Sequence, residues 1–215
     1  MAEPQAAFDE ELLTHFPTHL LRRRYRDRGD MNKGLRRLLL DMERKARNKI
    51  QDTSNIGGFH SDTKLLNSTD PAIKDLRGLI TEAIVAYMKP LLAAECTRPP
   101  DNVGLKFWGW GIVMRQGDMN QQHMHPDANI SGVYYVSVPD QLRDVKPGQP
   151  MGCIAFTDPR PRANSMRLPN QVSAHPLNPL PGDLIVFPSY YEHAVMPFKG
   201  PGERICIAFN ARIAD

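Results

Sequence analysis

The run Arg98-Pro99-Pro100-Asp101-Asn102 splits the chain into two stretches of different hydrophobic period. Proline fixes φ, lacks a backbone donor and pushes the preceding residue toward extended geometry, so the pair breaks regular structure here. Before it, apolar residues recur at helical spacing. After it, short runs rich in aromatic and β-branched residues cover 105–114, 131–138, 154–157, 184–187, 194–198 and 205–210, each bounded by Gly, Pro, Asn or Asp. Several short strands with turn signals and no helical pattern between them fold as a sandwich or barrel. The expected architecture is mainly β with N-terminal α: a helical extension over residues 1–98 packing on a β core over 99–215, together one structural domain. A chain of 215 residues fits that count.

In the first stretch, Asp30 is positioned to cap a helix over 31–50, with Leu35, Leu38, Leu39 and Met42 on one stripe. Asp70-Pro71 starts a second helix, since Asp caps and Pro suits the first turn. Ile73, Leu76, Ile80, Ile84, Tyr87, Met88 and Leu91 carry its apolar stripe to about residue 95. Such a face needs a partner layer, and the outer face of a sheet is the expected one. Residues 8–16 form a short amphipathic stretch ended near Pro17. Leu20-Leu21-Arg22-Arg23-Arg24-Tyr25-Arg26 is basic and reads as a solvated helix face, because Asp27, Asp30, Asp41 and Glu43 dilute its charge; a nucleic-acid patch is the weaker reading. Gly57-Gly58 marks a turn, followed by a His60-x-Asp62 pair with ligand spacing.

Composition excludes several classes. Hydrophobic residues at 41% suffice for a core, and a net charge of +3 does not call for nucleic acid. No apolar run is long enough to span a bilayer, and residues 1–11 are acidic with no basic segment, unlike a secretory signal. Cytoplasmic localisation is expected. Cys96, Cys153 and Cys206 are odd in number and too widely spaced for a disulfide framework or a zinc pattern, and read as buried free thiols.

Chemistry concentrates at Gln122-His123-Met124-His125-Pro126-Asp127. Side chains at i and i+2 on an extended chain point the same way, so His123 with His125, or His125 with Asp127, can face one point. Imidazole and carboxylate are ligands for a divalent metal such as iron. The pair lies just before the strand starting near Ser131, and His193 lies just after the strand 184–187, so His193 is the best placed third donor, at the mouth of a barrel. Arg204 follows on the next strand. A buried Arg needs a partner; its planar fork suits a carboxylate ligand, or a salt bridge to Glu203 or Asp183. Trp108, Trp110 and Tyr190 are candidates for the substrate side or plain core residues.

These motifs carry a resemblance. His123-x-His125-Pro126, Ser131-Gly132-Val133-Tyr134-Tyr135-Val136, Phe187-Pro188-x-x-x-x-His193 and Arg204-Ile205-x-Ile207-x-Phe209-Asn210 resemble the 2-oxoglutarate/Fe(II) oxygenase family seen in bacteria and phages. Gly57-Gly58-Phe59-His60-Ser61-Asp62-Thr63 is similar to that family's N-terminal signature. The resemblance implies a double-stranded β-helix, a cupin-like jelly roll, with one Fe(II) and 2-oxoglutarate as co-substrate. It implies that Arg204 grips the distal carboxylate of 2-oxoglutarate, that Tyr135 (or Tyr134) hydrogen-bonds it, and that Cys206 stands where a small hydroxyl residue often supports it; Asn210 is the further co-substrate candidate. The wider superfamily pairs His with Asp or Glu. Here His123-x-His125 is preferred, because Pro126 ends a strand, and Asp127 is the alternate ligand. The implied activity is hydroxylation of an unidentified small molecule or peptide, with O2 consumed and succinate and CO2 released. The alternatives are a non-catalytic metal-binding cupin-like domain and a three-His dioxygenase that ignores 2-oxoglutarate. No membrane or nucleic-acid partner is expected, and a homodimer is left open.

Overall fold

The computed structural model describes residues 11–46, 54–96, 104–145, 149, 151–163, 165, 169–170 and 172–214. The 98–102 boundary, residues 8–10 and the expected end of the first helix at 47–50 lie outside the described residues. The elements run β1 (Leu21–Arg24), α1 (Gly29–Lys45), β2 (Asn55–Ile56), β3 (Phe59–His60), α2 (Pro71–Glu95), β4 (Gly104–Met114), β5 (Met119–His123), β6 (Ile130–Ser137), β7 (Ile154–Thr157), β8 (Ala174–Leu177), β9 (Asp183–Pro188), β10 (His193–Val195) and β11 (Arg204–Ala214). One sheet has the order β1-β9-β6-β11-β4-β3 and the other β2-β5-β10-β7-β8, the two faces of a jelly roll.

Strand β11 holds the larger sheet together. It pairs with β4 from Arg204↔Met114 to Ala214↔Gly104, and with β6 on its other side. Alternation then sorts its side chains. Ile205, Ile207, Phe209 and Ala211 join the buried cluster that includes Leu35 and Leu39 of α1 and Ile73, Leu76, Ile80 and Ile84 of α2. Cys206 and Ala208 belong instead to the cluster between the sheets, with Trp110, Tyr135, Phe156 and Phe187. The helices therefore cover the outer face of the larger sheet, as their apolar stripes require. Helix α2 starts as expected, with Asp70 Oδ1 accepting from Ala72 N at 2.8 Å and Pro71 in the first turn.

Five local expectations are corrected. Cys153 and Cys206 are buried, but Cys96, at the end of α2, is exposed. The 8–16 stretch forms no helix over its described part. Helix α1 begins at Gly29, so Asp30 lies inside its first turn and makes no capping bond. The first stretch is not wholly helical: β1, β2 and β3 all join the sheets. The basic segment at 20–26 is neither a helix nor a free patch. Its core is β1, paired antiparallel to β9 at the sheet edge. There Asp183, 0% exposed, accepts from Arg22 Nη2 and Arg24 Nε at 2.6 Å each and from Leu180 N at 2.8 Å. Arg23 pairs with Glu82 of α2. Burial pushes the Asp183 pKa up, but the bonds from Arg24, Arg22 and Leu180 outweigh it and hold the carboxyl below its ordinary range.

This network generates a stability prediction. Asp183→Asn leaves two guanidinium groups without their anion, and should cost about 2–3 kcal/mol in urea unfolding. That is below the figure for a fully buried pair, because Arg22 and Arg24 keep 32% and 37% side-chain exposure and water screens them. A change under about 0.5 kcal/mol, the usual surface value, would show that the network does not hold β1.

Candidate metal centre

His123 and His193 sit directly opposite each other on the paired strands β5 and β10. His125 lies just past β5, where its backbone N donates to Ser189 O at 3.0 Å. The ring centroids are 4.4 Å apart for His123–His193, 5.1 Å for His123–His125 and 5.3 Å for His125–His193. Their ligand nitrogens all lie within 4.8 Å of one another, close enough to hold one metal ion. Two rings are fixed in tautomer. Nδ1 of His123 lies 2.7 Å from Gln121 O, and Nδ1 of His193 lies 2.9 Å from Tyr191 O. A carbonyl only accepts, so each Nδ1 carries the proton and each Nε2 keeps its lone pair for a ligand. Burial, with the neighbouring His123 and His125, depresses the His193 pKa to about 3, against the opposing bond to Tyr191 O. His193 is thus neutral, the form that binds metal. Three imidazole nitrogen donors leave coordination positions open and suit iron.

Asp127 is exposed and outside this group; its backbone carbonyl accepts from Arg212. The His60-x-Asp62 pair does not meet: His60 is buried and stacks on Trp110, while exposed Asp62 accepts from Lys64 N. Trp110 in turn lies 5.9 Å from His125, ring to ring. Trp108 packs partly buried on the same inner cluster, and Tyr190 is 54% exposed.

A cavity lined by the three histidines also reaches Arg204, Tyr135 and Cys206 inside the barrel. Arg204 is 1% exposed. Its Nε donates to Gly152 O at 3.1 Å and its Nη2 to Tyr135 Oη at 3.1 Å, and its guanidinium lies 4.9 Å from the Tyr135 ring. Nη1 faces only sulfur, Cys206 Sγ at 3.6 Å and Met114 Sδ at 3.8 Å. Both sequence candidates for a salt bridge are engaged elsewhere: Glu203 with Arg36, and Asp183 with Arg22 and Arg24. Among the described residues no carboxylate pairs with Arg204. Burial raises the pKa values of Tyr135 and Cys206, so both stay protonated. Since Tyr135 Oη accepts from Arg204, its own proton is available to a ligand.

Strand parity separates the remaining candidates. Tyr134 points to the helical side, where its hydroxyl donates to Asn32 Oδ1 of α1 at 2.7 Å, so the fallback tyrosine is turned away from the cavity. Asn210 lies six residues along β11 from Arg204, roughly 20 Å at strand rise. Its Oδ1 accepts from Ser131 Oγ at 2.8 Å, and it is outside the cavity lining. Sequence reasoning missed Asn120 and Ser54, which do line the cavity. Met119-Asn120-Gln121-Gln122-His123 has no β-branched or aromatic residue to mark it as a strand.

Two predictions follow from this geometry. His123→Ala should lose stoichiometric iron while Asp127→Asn keeps it, as read by elemental analysis; the opposite pattern would move the site onto Asp127. Second, between pH 6.5 and 3 the unfolded chain takes up a proton that folded His193 refuses. The metal-free protein should therefore keep its full stability above pH 6.5 and lose about 1.4 kcal/mol per pH unit below it on account of this one residue. His193→Gln should lack that component of the slope; identical unfolding slopes for both proteins would disprove it.

Residues 109–210 match the family model described as "Putative 2OG-Fe(II) oxygenase". None of the curated protein sequences compared with the chain matches it. Solved structures do. A Pseudomonas putida prolyl-4-hydroxylase is 17% identical, with 91% of this chain and 92% of that one covered and a TM-score of 0.60. A Trichoplax adhaerens prolyl hydroxylase, solved with a peptide fragment of the hypoxia inducible factor oxygen degradation domain, is 12% identical, with 90% and 83% covered and a TM-score of 0.59. HygX from Streptomyces hygroscopicus, solved with nickel and 2-oxoglutarate, is 11% identical, with 91% and 82% covered and a TM-score of 0.54. These likenesses establish the double-stranded β-helix fold. The matched segment carries the three histidines, Tyr135 and Arg204, and over it the chain is similar to that oxygenase family.

Proposed function

We propose that the protein is an Fe(II)- and 2-oxoglutarate-dependent oxygenase that hydroxylates a small-molecule or peptide substrate and releases succinate and CO2. One observation carries the reading. Arg204 is a buried cation with no anionic partner among the described residues, and it faces the same cavity as the three histidines. An uncompensated buried charge is strongly unfavourable, so a site built this way calls for a carboxylate from outside the chain. A non-catalytic metal domain, or a dioxygenase indifferent to keto acids, has no use for it.

When bound, iron with its keto acid supplies the oxygen chemistry. The chain's residues do the rest. His123, His125 and His193 hold the metal from one side. Arg204 clamps the distal carboxylate through its fork, and the Tyr135 hydroxyl donates to the same group. Cys206 contributes a weak thiol donor where a hydroxyl would be stronger. Ile112, Val133, Ile154 and Val195 line the channel between and exclude water. No described helix is long and apolar enough to cross a membrane, and three free cysteines suit a reducing compartment, so we place the protein in the cytoplasm. The prolyl hydroxylase solved with a peptide fragment favours keeping peptides among the candidate substrates.

Calorimetric titration of 2-oxoglutarate into the anaerobic Fe(II) protein tests this. Wild type should bind. Arg204→Lys should weaken binding, because an ammonium cannot make two parallel bonds to a carboxylate. Arg204→Ala should lose about 2–5 kcal/mol or all detectable binding. Iron occupancy should survive both changes. Equal binding by wild type and Arg204→Ala, or none by wild type, would favour the metal-only readings.

A further inference from the structure

Asn120 is 5% exposed and lines the cavity with the three histidines and Arg204, and nothing in the reading above uses it. It reaches the inner face through an irregularity. His123 pairs with His193, but Asn120 pairs with Val195, so the register of β5 against β10 shifts by one residue between them. A bulge of this kind re-aims side chains; here it puts Asn120 and His123, three apart, on the same side.

The orientation of its amide is fixed from outside. Asn55 Nδ2 donates to Gly57 O at 2.8 Å, which aims Asn55 Oδ1 at Asn120. Asn120 Nδ2 then donates to that Oδ1 at 3.0 Å and to Ser54 Oγ at 3.4 Å. Only Asn120 Oδ1 remains, and it accepts from no described residue. Asn120 lines the cavity, so this acceptor is open to a partner held there. That partner must carry a proton. A 2-oxo dicarboxylate has none to give at neutral pH, whereas water on a divalent cation is a strong donor. His123 and His193 do not supply that proton, since the Nδ1–H of each is spent on a backbone carbonyl.

We propose that Asn120 is a positioning residue: its Oδ1 accepts a hydrogen bond from a water in the coordination shell of the metal held by His123, His125 and His193. The oxygen marks one side of the shell for water and disfavours anions there, leaving the Arg204 side to the carboxylate. This rests on the metal centre proposed above.

The test uses the full chain loaded with Mn(II) alone, and reads the exchange of 17O-labelled water with the metal by nuclear relaxation. Asn120→Leu should speed exchange about three- to tenfold, the factor expected for one net hydrogen bond. Asn120→Asp keeps an acceptor and should exchange as slowly as wild type or slower. Asn55→Ala removes the lock while keeping Asn120, and should also speed exchange; it decides the matter if the Leu variant does not fold. A purely structural brace would lower the melting temperature and leave exchange unchanged. Wild-type exchange rates in both Asn55→Ala and any folded Asn120→Leu would therefore overturn the assignment while leaving the metal centre standing. Failure of the wild type to bind Mn(II) would overturn both.

Discussion

The two faces of β11 constrain everything else in the molecule. Its odd residues are apolar and need helices α1 and α2 over them, while Arg204, at the start of its even set, is a cation that must lie inside the barrel. A one-residue slip of this strand would drive Arg204 against α1 and turn Ile205 inward. Long pairing with β4 on one side and β6 on the other prevents that slip. The same register places Cys206 opposite Tyr135, which brings the phenol to the guanidinium.

The cavity is consequently positive at its Arg204 end. Arg204 keeps its charge at any relevant pH, and desolvation keeps His193 uncharged without metal. A carboxylate-containing ligand set would bring a negative charge to the iron; three imidazoles bring none. If iron and 2-oxoglutarate bind as proposed, the entering dianion meets two separated attractions, the guanidinium and a metal whose charge three imidazoles leave undiminished. Electrostatics of this sort orients a two-ended ligand before any shape selection operates.

The sequence was informative where side chains declare their surroundings. Asp70-Pro71, the stripe from Ile73 to Leu91, the long apolar strands and the three histidines all have local signatures, and each stands where its pattern implies. It was silent where tertiary context decides. Leu21-Arg22-Arg23-Arg24 is a strand only because β9 offers an edge and Asp183 neutralises two of its arginines. Strand β8 contains Pro176, tolerable because β8 is the last strand of its sheet. Which of Tyr134 and Tyr135 faces the cavity is a matter of parity, which adjacent tyrosines cannot reveal. Asn120 needed the β5 irregularity, and the isolation of Arg204 could be seen only after Asp183 and Glu203 had found other partners.

The pairing of β1 with β9 also bears on how the chain is made. Leu21 meets Val186, and the stripes of α1 and α2 are covered by residues of β6, β9 and β11. A ribosome thus delivers both helices well before the surface that shelters them. Their apolar sides stay wet through most of synthesis, a period in which exposed hydrophobic surface invites aggregation. Pairings this distant in sequence also slow the final closure. The charged groups along β1 then have a second use: an arginine-rich edge arriving early is a poor template for a neighbouring chain, and it remains soluble until Asp183 emerges to receive it.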